Sequence, residues 1–584
     1  MISKNLFFKI LKEDMKLRVW TVALFSIVLF LVFPVMGAMR IQSRDGASFD
    51  YNDKIFLLKE LLGPHNEMFM ILIVLCAVVC GLSSFFYLYS KKKVDLYHSL
   101  PVKREVIFCA NYINGLLVLL VPYVISILIT VGEAALNRLF PQEVLMATLN
   151  GIMIHFLYYW MIYTVTIIAV IITGNIWTSF LGAMVLMSYG LILAMAKSSY
   201  FNAFFETYFS MDAEGVALQK LSPVMNYFRT IQAYDSSEPY ALNLLIQSII
   251  TLVLMGIALF LFKKRPSEAA GRAIAFEKSK TPIKFLLVIP LSLISGILLR
   301  ESVSNNYDGW LIFGIVFFMV IIYGIIQVIF NSDIRSAFGQ KRHLLICALV
   351  TFAVVGYFRI DPFQYDEYIP KENDIKSIGI ELNFRDDEYA FIYSGSNMDY
   401  SSSVDYHLQH PLKKDLSSIY SLCKSAIKGK ISNDVYYSDG YHIVVKYNLK
   451  SGRSVYRRYN SKLDDNTLVK ALYDNQQYKE VHFPIFTDVY SDISFIDCSE
   501  GYSMEDRGEL TNSITLSEDK MVNFLDIYKE ELANIPYDQY MNATPVASLR
   551  VQLLKRKYGG GEYYVFPSFT KSIAYLKECG LNIK

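Results

Sequence analysis

Residues 151–196 read GIMIHFLYYWMIYTVTIIAVIITGNIWTSFLGAMVLMSYGLILAMA, without one Asp, Glu, Lys or Arg. A helix crosses the apolar core of a bilayer in about 20 residues, so this stretch is too long for one crossing. The uncharged pair Gly174-Asn175 divides it, and a Gly next to an Asn suits a tight turn. The halves 151–173 and 176–196 are therefore read as two consecutive membrane spans.

Working outward, the same criterion finds apolar runs at 19–39, 68–90 and 107–132 on one side and at 240–262, 283–299, 309–330 and 343–358 on the other. Nine spans is the expected count. The whole chain of 584 residues is 53% hydrophobic with a mean hydropathy of +0.31, too apolar for a soluble globule of this length. Pro34, Pro122 and Pro290 lie inside runs, where packed membrane helices tolerate a kink. Before the first run, the basic stretch 4–18 leads into a full-length apolar segment without a small-residue cleavage site, which predicts a retained anchor rather than a signal peptide.

A formal charge of +2 gives no field suited to wrapping nucleic acid, so the Lys and Arg residues inform mainly through their placement. Segments 4–18, 91–104, 263–284 and 335–342 are rich in them, and the excess of basic residues in short loops marks the cytoplasmic side. The alternate loops 40–67, 133–150 and 197–239 carry at least as many acidic residues and are placed outside. With an odd number of spans, the amino terminus is expected in the cytoplasm and everything after Arg359 outside it.

The tail 359–584 is long enough for one or two domains, and its pattern repeats. A helical stretch at 412–427 leads to strand-like 442–449, a turn at Lys450-Ser451-Gly452, strand 454–459 and a helix at 466–473. A second series runs from a helix at 518–532 through strand 548–555, a turn at Gly559-Gly560-Gly561 and strand 562–566 to a helix at 570–579. We read an α+β domain with an internal duplication, repeats 375–480 and 510–584.

Catalytic motifs are missing from the sequence. There is no GxxxxGK[ST] loop to cradle phosphates and no HExxH zinc helix, and no GxSxG elbow. His407 and His410 fit one helix face but have no evident third metal ligand. The seven cysteines show no CxxC spacing. Glu133, His155, Lys197 and Arg300 lie within reach of an interface, and only Gln247 and Gln327 sit well inside spans, where interhelical hydrogen bonds account for them. Mid-membrane carboxylates that would carry protons or sodium are lacking. Neither a hydrolase nor an ion-coupled transporter is indicated.

The loop 89–106, YSKKKVDLYHSLPVKREV, is the most specific stretch. Behind its basic anchor, 94–98 predicts a short helical turn with Leu96 and Tyr97 exposed, Pro101 as its stop, and Arg104-Glu105 opening the next helix.

VDLYHSLPVKRE (94–105), LFFKILKEDMKLR (6–18), LSPVMNYF (221–228), ITGN (172–175) and KKRPSEAAGRAIAF (263–276) resemble bacterial ABC-2 type transporter permeases, similar to the Ytr-type permeases of Gram-positive bacteria. The resemblance covers roughly the first 280 residues. It implies a permease without ATPase activity of its own, driven by a separate cytoplasmic ABC ATPase that binds ATP and Mg, and paired with a second permease copy or a sister permease in the cell membrane. Carried over to this chain, Asp95, Leu96, Tyr97, His98, Ser99, Leu100, Pro101 and Arg104 become the candidate ATPase contacts. The family core needs six spans.

The expected organisation is thus a cytoplasmic amphipathic helix (1–18), a six-helix core (19–262), three additional spans (263–358) and an extracytoplasmic α+β domain (359–584). The expected function is export powered by the partner ATPase. The alternative is a membrane sensor whose outer domain binds a ligand. Against it, no cytoplasmic segment exceeds roughly 25 residues, below the size at which a domain folds unaided.

Overall fold

Nine helices among the described residues are long and apolar enough to cross a membrane: Val19–Ile41, Tyr51–Ser84, Arg104–Leu136, Gln142–Ile172, Ile176–Phe204, Tyr240–Lys264, Glu277–Glu301, Tyr307–Asn331 and Lys341–Ile360. They support a multi-pass membrane protein and are called spans one to nine. The computed structural model describes residues 2–42, 51–210, 218–235, 240–303, 307–382, 393–394, 397–398, 400–413, 416–428, 441–461, 467–486, 493–500, 513–553 and 560–583. The chain divides into two units, Met1–Tyr200 with Asp212–Gly356, and Phe201–Met211 with Tyr357–Lys584.

In the first unit, span four is the pillar. Its most apolar window is 89% buried inside the protein, and Tyr158, Tyr159, Ile162 and Tyr163 are fully enclosed. Spans two and six pack along it. Gly115 of span three allows one close approach, since a Cβ there would stand 2.0 Å from the Tyr163 hydroxyl. Pro34 is absorbed by a π-turn at Leu31–Val35, a local widening that makes room for the ring and accommodates the lost backbone hydrogen bond. Pro122 and Pro290 sit within continuous helices.

Two helices fall where only loops were expected. Tyr51–Leu62 lies in the segment read as the 40–67 loop, and Pro223–Asp235 in 197–239. The first is the opening part of span two, ahead of its apolar helix Glu67–Ser84, the second is too short for the spanning criterion, and both pack on span four. Asn66 joins the first of them to the helix Glu67–Ser84. Its carboxamide oxygen accepts the Phe69 N–H at 3.0 Å and its NH₂ donates to the Leu61 carbonyl at 3.0 Å, an N-cap that also holds the preceding helix.

The second unit carries two antiparallel arrays. β1 (Ile375–Leu382), β4 (Tyr441–Leu449) and β5 (Ser454–Ser461) form one, in the order β1-β4-β5. β2 (Tyr393–Ser394), β3 (Asn397–Met398), β6 (Ile493–Glu500), β7 (Ser513–Thr515), β8 (Ala547–Leu553) and β9 (Gly560–Val565) form the other, in the order β3-β2-β9-β8-β6-β7. The helix, hairpin, helix series read from the sequence is present twice. Each series is preceded by a strand that sequence reading misses, β1 in one and β6 in the other.

The two leading strands pair alike. β1 pairs with β4 from Ile375↔Leu449 to Leu382↔Ile443 with an irregularity at Ile375/Ser377. β6 pairs with β8 from Ile493↔Leu553 to Glu500↔Ala547 with one at Ile493/Phe495. Gly452, at φ +83°, makes the first hairpin turn as expected. In the second hairpin Gly559 lies outside the described residues, and Gly560 and Gly561 are already paired with Gln552 and Val551 in β9, so they begin the strand rather than make the turn.

Residues 201–211, read as part of an external loop, belong to this second unit. The Thr207 carbonyl accepts the Arg458 N–H on edge strand β5 at 2.9 Å. The Asp366 carboxylate accepts the backbone N–H groups of Glu206 (3.3 Å) and Thr207 (3.0 Å) and the Thr207 hydroxyl (2.9 Å). Phe205 stacks on Tyr365 with ring centroids 4.6 Å apart, and the Arg457 guanidinium lies 3.9 Å from the centroid of that same tyrosine ring.

Candidate functional site

The loop between spans two and three folds as a helix, Lys91–Ser99, after a short 3₁₀ turn, Phe86–Tyr89. Val94 is its buried residue. Leu96 is 62% exposed and Leu100 39%, with Lys91, Lys92, Lys93 and Lys103 exposed around them. Asp95, Ser99 and Pro101 are also exposed. The Ser99 hydroxyl closes the last turn by donating to the Leu96 carbonyl at 2.8 Å.

Three of the candidate contacts face inward. Tyr97, expected to be exposed with Leu96, stacks on buried Tyr87 with centroids 4.1 Å apart and planes 16° apart. An aromatic face gains more from such a stack than from water. His98 is half-buried, and burial, then the Arg104 charge, push its pKa below the ordinary value against the opposing pull of Asp95. Arg104 turns to the end of span six, where it donates to the carbonyls of Lys263 (3.3 Å) and Arg265 (3.2 Å). Its neighbour Glu105 pairs with Lys263 at 2.5 Å. Arg104 is thus a clasp between spans three and six.

Beneath the helix lies a scaffold of chain segments distant in sequence. Arg265 is buried and donates to the carbonyls of Val170 (2.7 Å) and Ile171 (3.2 Å) at the end of span four and of Leu88 (3.2 Å). A guanidinium there satisfies last-turn carbonyls and meets the negative end of the helix dipole. Burial pulls its pKa down to about 10, which leaves it charged at neutral pH. The 263–276 segment then runs under the turn between spans four and five. Gly271 N–H donates to the Gly174 carbonyl at 2.8 Å and Ala275 N–H to the Ile172 carbonyl at 2.7 Å, with an antiparallel bridge between Thr173 and Ile274. Gly174 is required by this approach: a Cβ would stand 2.0 Å from the Ala269 carbonyl oxygen and 2.6 Å from that of Arg272.

The amino-terminal helix Ile2–Leu17 is fixed at the same end. Arg18 donates to the hydroxyl and carbonyl of Ser84 (2.7 and 2.8 Å) and pairs with Asp14 at 2.8 Å. Asn114 of span three donates to Asp14 and to the Leu11 carbonyl, both at 2.8 Å, and the Ser84 hydroxyl meets that of Tyr163 at 2.9 Å. The segments 6–18, 85–105, 172–175 and 263–276 therefore gather at one end of the first unit. Sequence reading singles them out separately but misses the residues that join them, Asp14, Ser84, Tyr87 and Arg265. The available signal is a basic residue directly beside an apolar run, at Arg18 and Arg265, which reads equally well as interface snorkelling.

In the second unit, His407 and His410 do not converge on a common site. His407 contacts the Glu381 carboxylate and donates through Nε2 to the His482 carbonyl at 2.7 Å, while His410 Nδ1 lies 2.9 Å from the Tyr406 carbonyl. Among the described residues no group of three or more His, Cys, Asp or Glu is placed to hold a metal ion.

Residues 447–558 match a protein family described as a domain of unknown function (DUF6449). The match runs from within β4 to just beyond β8, so it takes in parts of both helix, hairpin, helix series and none of the spans. No curated protein and no solved structure matches the chain.

Proposed function

We propose that this chain is the membrane subunit of an ATP-driven ABC exporter, that the end of the first unit carrying Lys91–Ser99 faces the cytoplasm, and that a separate ATPase docks there. The observation that carries this reading is the pair Leu96 and Leu100. Leu96 is exposed on a short helix and Leu100 at its C-cap, while Val94 and the Tyr97–Tyr87 stack hold the helix's other side and the Arg104 clasp holds the start of the next helix. Apolar side chains fixed on a rigid support gain by entering a partner's pocket, and such buried anchors dominate protein interfaces. The amino-terminal helix, held by Arg18 and Asn114, would move with the same scaffold when the ATPases close. In this reading a second permease copy or a sister permease completes the pathway, and the carboxyl-terminal domain lies outside the cell membrane.

Leu96→Asp with Leu100→Asp is the test. Both residues are exposed, so insertion and folding should survive, while co-purification of the ATPase and transport into inverted vesicles should fall at least tenfold, the equivalent of about 1.4 kcal/mol. An undiminished ATPase complex would refute the docking assignment.

A sensor remains the second reading because residues 201–211 belong to the carboxyl-terminal unit. Ligand binding in that unit would act directly on the end of span five.

A further inference from the structure

The turn between spans eight and nine is built with unusual rigidity. Ser332 and Gln340, at its two ends, both have φ of +54°, a region that non-glycine residues occupy only where their surroundings hold them. The surroundings here are specific. Asp333 accepts the Arg335 N–H at 2.9 Å. The Ser336 hydroxyl lies 2.6 Å from the Asp333 carbonyl and 3.2 Å from that of Gln327. The Tyr323 hydroxyl is 3.0 Å from both the Gly339 and Gln340 carbonyls. At the base, Lys284 of span seven is 2% exposed. Its ammonium donates to the side-chain oxygens of Gln327 (2.6 Å) and Gln340 (3.0 Å) and stands 5.0 Å over the Tyr323 ring. The buried lysine and Gln327 thus serve the turn's shape.

That shape presents Ile334 and Phe338, four residues apart, at 81% and 65% exposure. Arg335, Lys341 and Arg342 are exposed beside them, three cations against the single carboxylate of Asp333. A turn joining the ends of two spans lies at a bilayer boundary. Bulky apolar side chains flanked by cations are the chemistry of an interfacial anchor, with the apolar groups in the acyl boundary and the cations on phosphates.

We propose that residues 332–342 form an anchoring site for an anionic phospholipid surface, with Ile334 and Phe338 inserted and Arg335, Lys341 and Arg342 on the lipid phosphates. The site sets the depth of spans seven to nine. It stands whether or not an ATPase docks at Leu96.

The experiment uses the full chain in nanodiscs, with bound lipid counted by mass spectrometry after exchange between phosphatidylglycerol and phosphatidylcholine. The wild type should retain phosphatidylglycerol preferentially, and salt near 1 M should remove the preference. Arg335→Gln, Lys341→Gln and Arg342→Gln together should weaken the retained class by roughly fivefold for each charge removed. Ile334→Ser with Phe338→Ser should weaken it while leaving the salt dependence in place. Glycerol phosphate, which has the headgroup charge but no acyl chains, should not compete. Equal retention of the two lipids, or a triple variant that retains phosphatidylglycerol like the wild type, would overturn the site. So would a photo-crosslinker at position 338 that captures protein instead of lipid in native membranes.

Discussion

Arg18 grips Ser84 at two points, its hydroxyl at 2.7 Å and its carbonyl at 2.8 Å, and so bolts the amino-terminal helix to the end of span two. The same guanidinium neutralises Asp14. Arg18→Ala would leave that carboxylate buried with only the Asn114 amide, and breaking one side of a buried pair costs about 3–5 kcal/mol. The unfolding temperature in detergent should drop accordingly. Arg18→Lys, which keeps the charge but loses the two-armed geometry, should fall between. Burial already raises the Asp14 pKa above its ordinary value, against Arg18 and Asn114. Without Arg18 it should rise further, so the folded variant binds more protons than the unfolded chain. Its stability must then decrease as pH rises, and Arg18→Ala should be less destabilised at mildly acid pH than at neutral pH.

Gly174→Ala tests the scaffold beneath the proposed docking helix. The added methyl meets two backbone carbonyls, of Ala269 and Arg272, which cannot rotate aside as a side chain would. Overpacking of this kind costs roughly 1–3 kcal/mol. Limited proteolysis should find new cleavage within 263–276, and a variant with the wild-type digestion pattern would show that the strap is not held by this turn.

The membrane part is legible because a row of about 20 uncharged, mostly apolar residues fits a bilayer crossing and little else, and each of the nine apolar runs overlaps one of the nine long helices found among the described residues, run 68–90 passing the helix end at Ser84 into the Phe86–Tyr89 turn. The first hairpin of the tail is legible at Lys450-Ser451-Gly452 because a glycine at positive φ leaves a clear mark. β1 and β6 are not: IKSIGIEL and ISFIDCSE alternate too imperfectly to stand out before their partners are known. The candidate site is half legible. Leu96 is exposed as its sequence context predicts, but Tyr97 and Arg104 are occupied by Tyr87 and by carbonyls at the end of span six, which for Arg104 lie as far as 161 residues along the chain. Periodicity carries no information about such distances.

Thiol labelling should separate the carboxyl-terminal cysteines. All three are free. Cys423 and Cys498 are buried, and burial pushes each thiol up to about 12. Since the thiolate is the reactive species, both should resist iodoacetamide at pH 8 in the folded chain and react on unfolding, while half-buried Cys579 reacts in the folded state. Early labelling of Cys423 would contradict the packing of Leu416–Lys428.

The proposed orientation places the carboxyl-terminal unit outside. Protease added to intact protoplasts should remove residues beyond span nine and leave the Lys91–Ser99 helix uncut. Cleavage of the tail only after lysis would reverse the assignment of both faces.

A photo-crosslinking amino acid at position 96 in native membranes reports directly on what docks against the Lys91–Ser99 helix. The expected product is a covalent adduct between this chain and a cytoplasmic protein bearing an ATP-binding P-loop, lost when Leu100 is changed to Asp. Adducts to lipid alone, with the ATPase absent from the crosslinked products, would contradict it.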